Sequence, residues 1–117
     1  MPRIGGRLQS AGPEYRGEIT AYDDRGPTKG VAMTIGEAYD VPGLEDARRV
    51  LSLDAASGTV VLEDTFCFAG DGLPVEEAFV TWCETSVAGP MARIQGERHV
   101  LEIVIQSPTG ATFALHV

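Results

Sequence analysis

The sequence predicts an all-β chain, an antiparallel β-sandwich of about eight short strands, and three observations carry that expectation. The stretch Thr59 to Phe68 reads TVVLEDTFCF. Val60, Leu62, Phe66 and Phe68 share one parity, and Val61, Glu63, Thr65 and Cys67 the other. A strand with one covered face has this period of two. Just upstream, Arg49, Leu51 and Leu53 alternate against Val50 and Ser52, and the link Asp54-Ala55-Ala56-Ser57-Gly58 ends in glycine. A hairpin loop closing on a left-handed residue has that form. Similar runs recur at roughly ten-residue spacing, broken by Gly, Pro and Asp turns and without a sustained helical period. Several are apolar on both faces, which favours a two-layer sandwich over a closed barrel.

Taken in order, 1–16 holds Gly5, Gly6, Gly12 and Pro13 and reads as irregular. In GEITAYDD (17–24), Ile19 and Ala21 are expected on one face, with Thr20 and Tyr22 on the other. Asp23-Asp24-Arg25-Gly26-Pro27 is a turn signal. VAMTIG (31–36) alternates Val31, Met33 and Ile35 inward. Within EAYDVPGLEDA (37–47), Pro42-Gly43 prevents a long helix, and the expectation is at most one helical turn between Leu44 and Val50. Beyond the turn Gly70 to Pro74, EEAFVTWCE (76–84) reads as a central strand carrying Phe79, Val80 and Trp82. MARIQ (91–95) turns through Gly96-Glu97-Arg98 into HVLEIVIQS (99–107). There Leu101, Ile103 and Ile105 oppose Val100 and Val104. Pro108-Thr109-Gly110 turns into a last strand, ATFALHV (111–117).

A chain of 117 residues is long enough to bury its own core, and the organisation expected is one domain. Residues 1–16 would form an irregular segment packing on a sandwich of 17–117. No apolar run approaches the ~20 residues of a membrane helix, and the first residues lack the apolar stretch of a signal peptide. The compartment stays open. A net charge of −8 argues against nucleic acid as a partner, because phosphate binding rests on neutralising Lys and Arg. Cys67 and Cys83 both fall in strand-like runs and are expected as buried free thiols.

Little in the chain points to chemistry. His99 and His116 are not spaced as metal ligands and neither adjoins a nucleophile motif. Glu63 and Asp64 are neighbours on a strand and point to opposite faces, so they cannot form a carboxylate dyad. Asp23-Asp24 lacks the alternating oxygen donors of a calcium loop. No zinc-ligand spacing appears, and IGGRLQSAG is not a phosphate loop. The expectation is therefore no catalytic residue, no metal and no cofactor within these residues, with substrate-binding positions unknown. Asp64 does interrupt an otherwise apolar face, and a carboxylate there needs a partner, with Arg49 or Arg48 in reach on the preceding strand.

Three segments, in order, resemble the C-terminal β-sandwich of the heparinase II/III-like polysaccharide lyases. Pro2-Arg3-Ile4-Gly5-Gly6-Arg7-Leu8-Gln9-Ser10-Ala11-Gly12 is similar to that family's P-x-I-x-G-x-x-Q-x-x-G segment. Gly36-Glu37-Ala38-Tyr39-Asp40, followed by Arg49-Val50-Leu51, resembles its aYp…R-x-v stretch. Gly58 to Phe66 resembles its G-x-v-x-v-x-D-x-F hairpin. The resemblance spans most of residues 2–68. It implies a larger enzyme in which an α/α toroid precedes the sandwich and cleaves uronate-containing polysaccharide by β-elimination. The family's catalytic Tyr and Asn or His lie in the toroid, and a further His stands just before the first segment. This sequence holds no matching position for any of them, so no catalytic residue carries over, and the family's zinc-binding set has no counterpart here. Tyr39 and Gln9 read as mainly architectural. The partners implied are the parent chain's toroid and, through the full-length enzyme, an acidic polysaccharide. The alternative is a free-standing carbohydrate-binding or protein-interaction sandwich, disfavoured here because Trp82 sits in a core-like run. Unblunted apolar strands, the last one above all, also lead to the expectation that the chain forms a homodimer.

Overall fold

In a computed structural model, which describes residues 1–116, the chain is all-β. Its sheets of two, four and three strands are antiparallel in every pairing, consistent with the β-sandwich expected from the alternating pattern. Two compact units divide it, Met1–Ala78 and Phe79–Val117.

The first unit is built on a four-stranded meander, β2 (Glu18–Asp23), β3 (Thr28–Thr34), β4 (Leu44–Asp54) and β5 (Thr59–Phe68). β1 (Arg3–Ile4) pairs with β6 (Val75–Glu76) to form the two-stranded sheet. The β4–β5 hairpin closes as the sequence indicates. Gly58 takes a φ of 69°, which favours glycine, while Asp54 Oδ1 accepts the backbone N–H of Ala56 and Ser57 and Oδ2 accepts the Ser57 hydroxyl. Those bonds favour the ionised carboxyl and hold Asp54 below its ordinary value of 3.8.

Cross-strand pairing fixes which residues share a face. Met33, Arg49 and Asp64 stand opposite one another, as do Val31, Leu51 and Leu62, and Ala47 stands opposite Phe66. The inward set of β5 is therefore Leu62, Phe66 and Phe68 with Asp64 among them, as the period of two requires. Two irregularities reset the register. Between Leu44 and Asp46 one returns Leu44 to the inner face opposite Phe68. The other, between Ile19 and Ala21, places Ile19 opposite Met33 and Tyr22 opposite Val31. Ile19 and Tyr22 thus share a face, contrary to simple alternation, because a bulge adds one residue to the count.

The buried cluster lies at the Phe66 end of this face. Ile4, Ala38, Tyr39 and Val41 form it, with Leu44, Phe66 and Phe68 packed against them. Ile4 and Pro2 are fully buried, so the short β1 contributes anchoring side chains to the cover of the sheet. Gly5, at φ 55°, lies where an added Cβ would meet Leu73 Cδ1 at 3.0 Å. Gly5 thus permits a close approach to Leu73, whereas an added Cβ at Gly6, at φ 78°, would meet nothing within 4 Å.

Three expectations from the sequence are corrected. No helical turn occurs between Leu44 and Val50. The chain turns at Pro42-Gly43 and enters β4 directly, since Leu44, Ala47, Arg49, Leu51 and Leu53 all have cross-strand partners. A 3-10 turn lies earlier, at Gly36–Ala38. The run 76–84 is not a central strand: beyond β6 it has no regular structure until Glu84, and Val80 and Trp82 are exposed. Glu76, Glu77 and Glu84 flank its short apolar stretch, which is too brief to hold both faces under cover. Of the last expected strand, residues 111–116 form none, and Val117 lies outside the described residues.

The second unit is a three-stranded meander, β7 (Glu84–Ala88), β8 (Met91–Gln95) and β9 (Val100–Val104). Thr85, Ile94 and Leu101 stand in one row and Val87, Ala92 and Ile103 in the next, giving one apolar face. Arg93 and Glu102 face each other on the opposite side, 3.8 Å apart. Phe79 meets Phe113 edge to face, with ring centroids 6.3 Å apart.

Phe66 is half-buried, so truncation costs less than at a sealed site. We expect Phe66→Ala to lower unfolding free energy by about 2–3 kcal/mol, measured by chemical denaturation. A loss below ~1 kcal/mol would show that its ring does not face the Ile4–Tyr39 cluster.

Candidate functional site

The densest polar arrangement lies on the inner face of the four-stranded sheet, at the margin of the buried cluster. β4 presents Arg49 directly across from Asp64 of β5. Arg49 Nε donates to Asp64 Oδ1 at 2.8 Å and Nη2 to Asp64 Oδ2 at 2.7 Å, a two-pronged pairing. Nη2 also donates to Glu77 Oε2 at 3.0 Å, just past β6. The Arg49 and Asp64 side chains retain only 11% and 14% of their exposure, so the charges are largely withdrawn from water. The hydrogen bonding that Asp64 accepts is the chief reason the guanidinium holds its proton even more firmly than an ordinary arginine, with Glu77 adding to it.

Tyr39 closes the margin of the cluster and donates its hydroxyl to the Pro2 carbonyl at 2.8 Å. Its phenol is raised above the ordinary value of 10.0, chiefly by burial and then by the Glu77 carboxylate. Arg7 Nη1 donates to the Asp40 carbonyl at 2.8 Å, and Ser10 N donates to the Ala38 carbonyl at 2.9 Å. The Gly-rich segment, the Tyr39 turn and the Arg49–Asp64 hairpin are therefore bound together.

What this arrangement can do is hold. Arg49 is saturated by two carboxylates, and among the described residues no buried side-chain polar atom is left without a partner. It offers no free nucleophile, base or anion-binding cation. Arg48 was the other candidate partner for Asp64, but it stands opposite Thr65 on the outer face and is exposed. Gln9 is exposed, as are His99 and His116. Among the described residues, no group of three His, Cys, Asp or Glu is placed to hold a metal ion.

The cysteines depart from expectation. Both are free, and both are exposed. Cys67 stands opposite Asp46, on the outer parity that TVVLEDTFCF assigns it. Cys83 lies in the irregular stretch before β7. Trp82, expected in a core-like strand, is fully exposed at 103%. No sequence signal pointed to Glu77, which reaches Arg49 from 28 residues away. Nor did any indicate the groove of about 310 Å³ at the far end of the sheet, floored by Val31, Leu51, Leu53 and Val60.

Comparisons with protein-family models, with curated proteins and with solved structures found no match.

Removing one partner of the ion pair leaves a withdrawn charge uncompensated. Asp64→Ala is expected to cost about 3 kcal/mol, and Asp64→Leu combined with Arg49→Met should recover most of that loss in denaturation experiments. Recovery distinguishes a charge effect from a cavity. Tyr39 binds its proton more tightly when folded. Its contribution is thus present in full below pH 10 and fades as pH rises through the raised folded value. Tyr39→Phe should flatten the alkaline side of the stability profile, at a cost of about 1 kcal/mol for the lost bond to Pro2.

Proposed function

We propose that this chain is the accessory β-sandwich of a polysaccharide lyase resembling the heparinase II/III-like enzymes, inactive by itself. In that reading the full-length enzyme acts by β-elimination on a uronate-containing polysaccharide, with an α/α toroid as the chain's partner. One observation carries it. The three segments that resemble the family are spread over residues 2–66, yet they meet at a single buried cluster with its ion pair. Shared motifs held by architecture behave this way: Ile4 and Tyr39 are buried and Asp64 is bound by Arg49, so these three matching positions have structural tasks, while Gln9 is exposed. Saturated charges at this site agree with chemistry residing on another domain.

The test is the transcript that encodes the chain, together with an elimination assay. An open frame running upstream into repeated helical-hairpin sequence is expected, as is no unsaturated uronate product from the chain alone. An in-frame stop immediately upstream, or product formed by the isolated chain, would overturn the reading.

A second reading, a free-standing carbohydrate-binding module, gains from the full exposure of Trp82. A planar indole in water is what stacks on a sugar ring. Calorimetry with uronate oligosaccharides separates the two. Millimolar or tighter binding abolished by Trp82→Ala supports the module, and the absence of heat supports the accessory domain.

A further inference from the structure

The inner face of the four-stranded sheet is covered at its Phe66 end and open at the other. Beyond Arg49 and Asp64, two cross-strand rows are only partly covered: exposed Tyr22 with half-buried Val31, Leu51 and Leu62, then exposed Lys29 and Val60 with half-buried Leu53. The bulge in β2 adds Ile19 to the same face. Tyr22, Ile19 and Val60 keep 70%, 65% and 61% of their exposure. Single exposed apolar residues are ordinary, but a contiguous set running across four strands marks an interaction surface.

We propose that this open half is a homodimer interface, on which a second copy of the chain seats the same face. Charge argues for a copy over other occupants. Lys29 lies on the groove and Asp24 at its rim, and neither has an ion-pair partner among the described residues. A two-fold interface sets residue i against residue j and j against i. Lys29 of each copy then meets Asp24 of the other, whereas a partner of one sign would be repelled by one of the two. Face packing is favoured over edge pairing because the outer strand β2 is bulged between Ile19 and Ala21 and has Glu18 and Asp23 at its ends. Two sheets stacked about 10 Å apart are the ordinary layer spacing of a sandwich.

The size of the face sets the affinity. Three strand spacings of ~4.8 Å and about five residues of ~3.4 Å span only a few hundred Å² per copy. Both copies together stay below the ~1200 Å² of a standard interface, so the dimer is weak and reversible. Two chains of net charge −8 repel, and salt that screens them tightens the association. The inference does not require the lyase reading, although Leu51, Val60 and Leu62 of this face lie within the resembling segments.

Sedimentation equilibrium from micromolar to millimolar chain tests it. A monomer–dimer equilibrium is expected, stronger at physiological salt than at low salt. Val60→Glu and Tyr22→Glu, on different strands, should each weaken it at least about tenfold, with thermal melting monitored to show that the fold is kept. Should one of them unfold, the other gives the result. Lys29→Asp alone and Asp24→Lys alone should weaken dimerisation, and the double exchange should restore it. A strict monomer at millimolar concentration and physiological salt overturns the proposal, as does a dimer indifferent to both glutamate variants. A double exchange no better than the singles overturns it too.

Discussion

The arrangement of the first unit turns on one guanidinium. Arg49 sits in the middle of the inner sheet face, gripped by Asp64 across the ladder and by Glu77 from the segment after β6. On one side of it the face is apolar and covered, with Ala47, Phe66 and Phe68 under Ile4, Tyr39 and Val41. On the other side it is apolar and open. A charge in that position must be paired if it is not to forfeit several kcal/mol. Two carboxylates pair it, and the second ties the end of the two-stranded sheet to the four-stranded one. Replacing the pair with apolar groups could match its stability, so its main effect is geometric. Arg49 fixes where the cover of the sheet ends.

This geometry explains why the Gly-rich start of the chain is structural. β1 contributes only two strand residues, yet Pro2 and Ile4 are fully buried and the Pro2 carbonyl takes the Tyr39 hydroxyl. Too short to bury a core by itself, the segment is held by side chains and by backbone bonds such as Ser10 N to the Ala38 carbonyl. Glycine at position 5 permits the approach that Leu73 demands. The residue types of this segment are thus accounted for without a ligand.

How much was legible follows from the range of each signal. Alternation is a local property, and it located β4, β5, β8 and β9, the Gly58 turn and the inward parity of Phe66. The partner of Asp64 was also legible, because one short hairpin brings β4 and β5 together and leaves only Arg48 and Arg49 as choices. Glu77 was not, being set by the return of β6 from far along the chain. The β2 bulge was invisible because nothing in EITAYD marks an inserted residue, and it moved Tyr22 to the other face. The reading of 76–84 failed for a different reason. Apolar content there resembled a buried strand, yet strand formation requires a partner edge, and no alternation within one segment can say whether such an edge is present. Trp82 and Cys83 went wrong together for that reason.

Two kinds of surface follow. The polar margin around Arg49 is finished, with its donors and acceptors matched. The open half of the same face is unfinished, for Val31, Leu51 and Leu62 form rows that only another apolar layer completes. Net charge sets how readily two copies of such a face can meet. Repulsion between copies at −8 keeps association weak at low salt without altering the apolar rows themselves. A face of a few hundred Å², at roughly 25 cal/mol per Å², supplies several kcal/mol before the entropic cost of association is subtracted. What remains is small enough that ionic strength shifts the balance. The surface is therefore suited to reversible contact, and a lasting cover would need a larger area than this half-face offers.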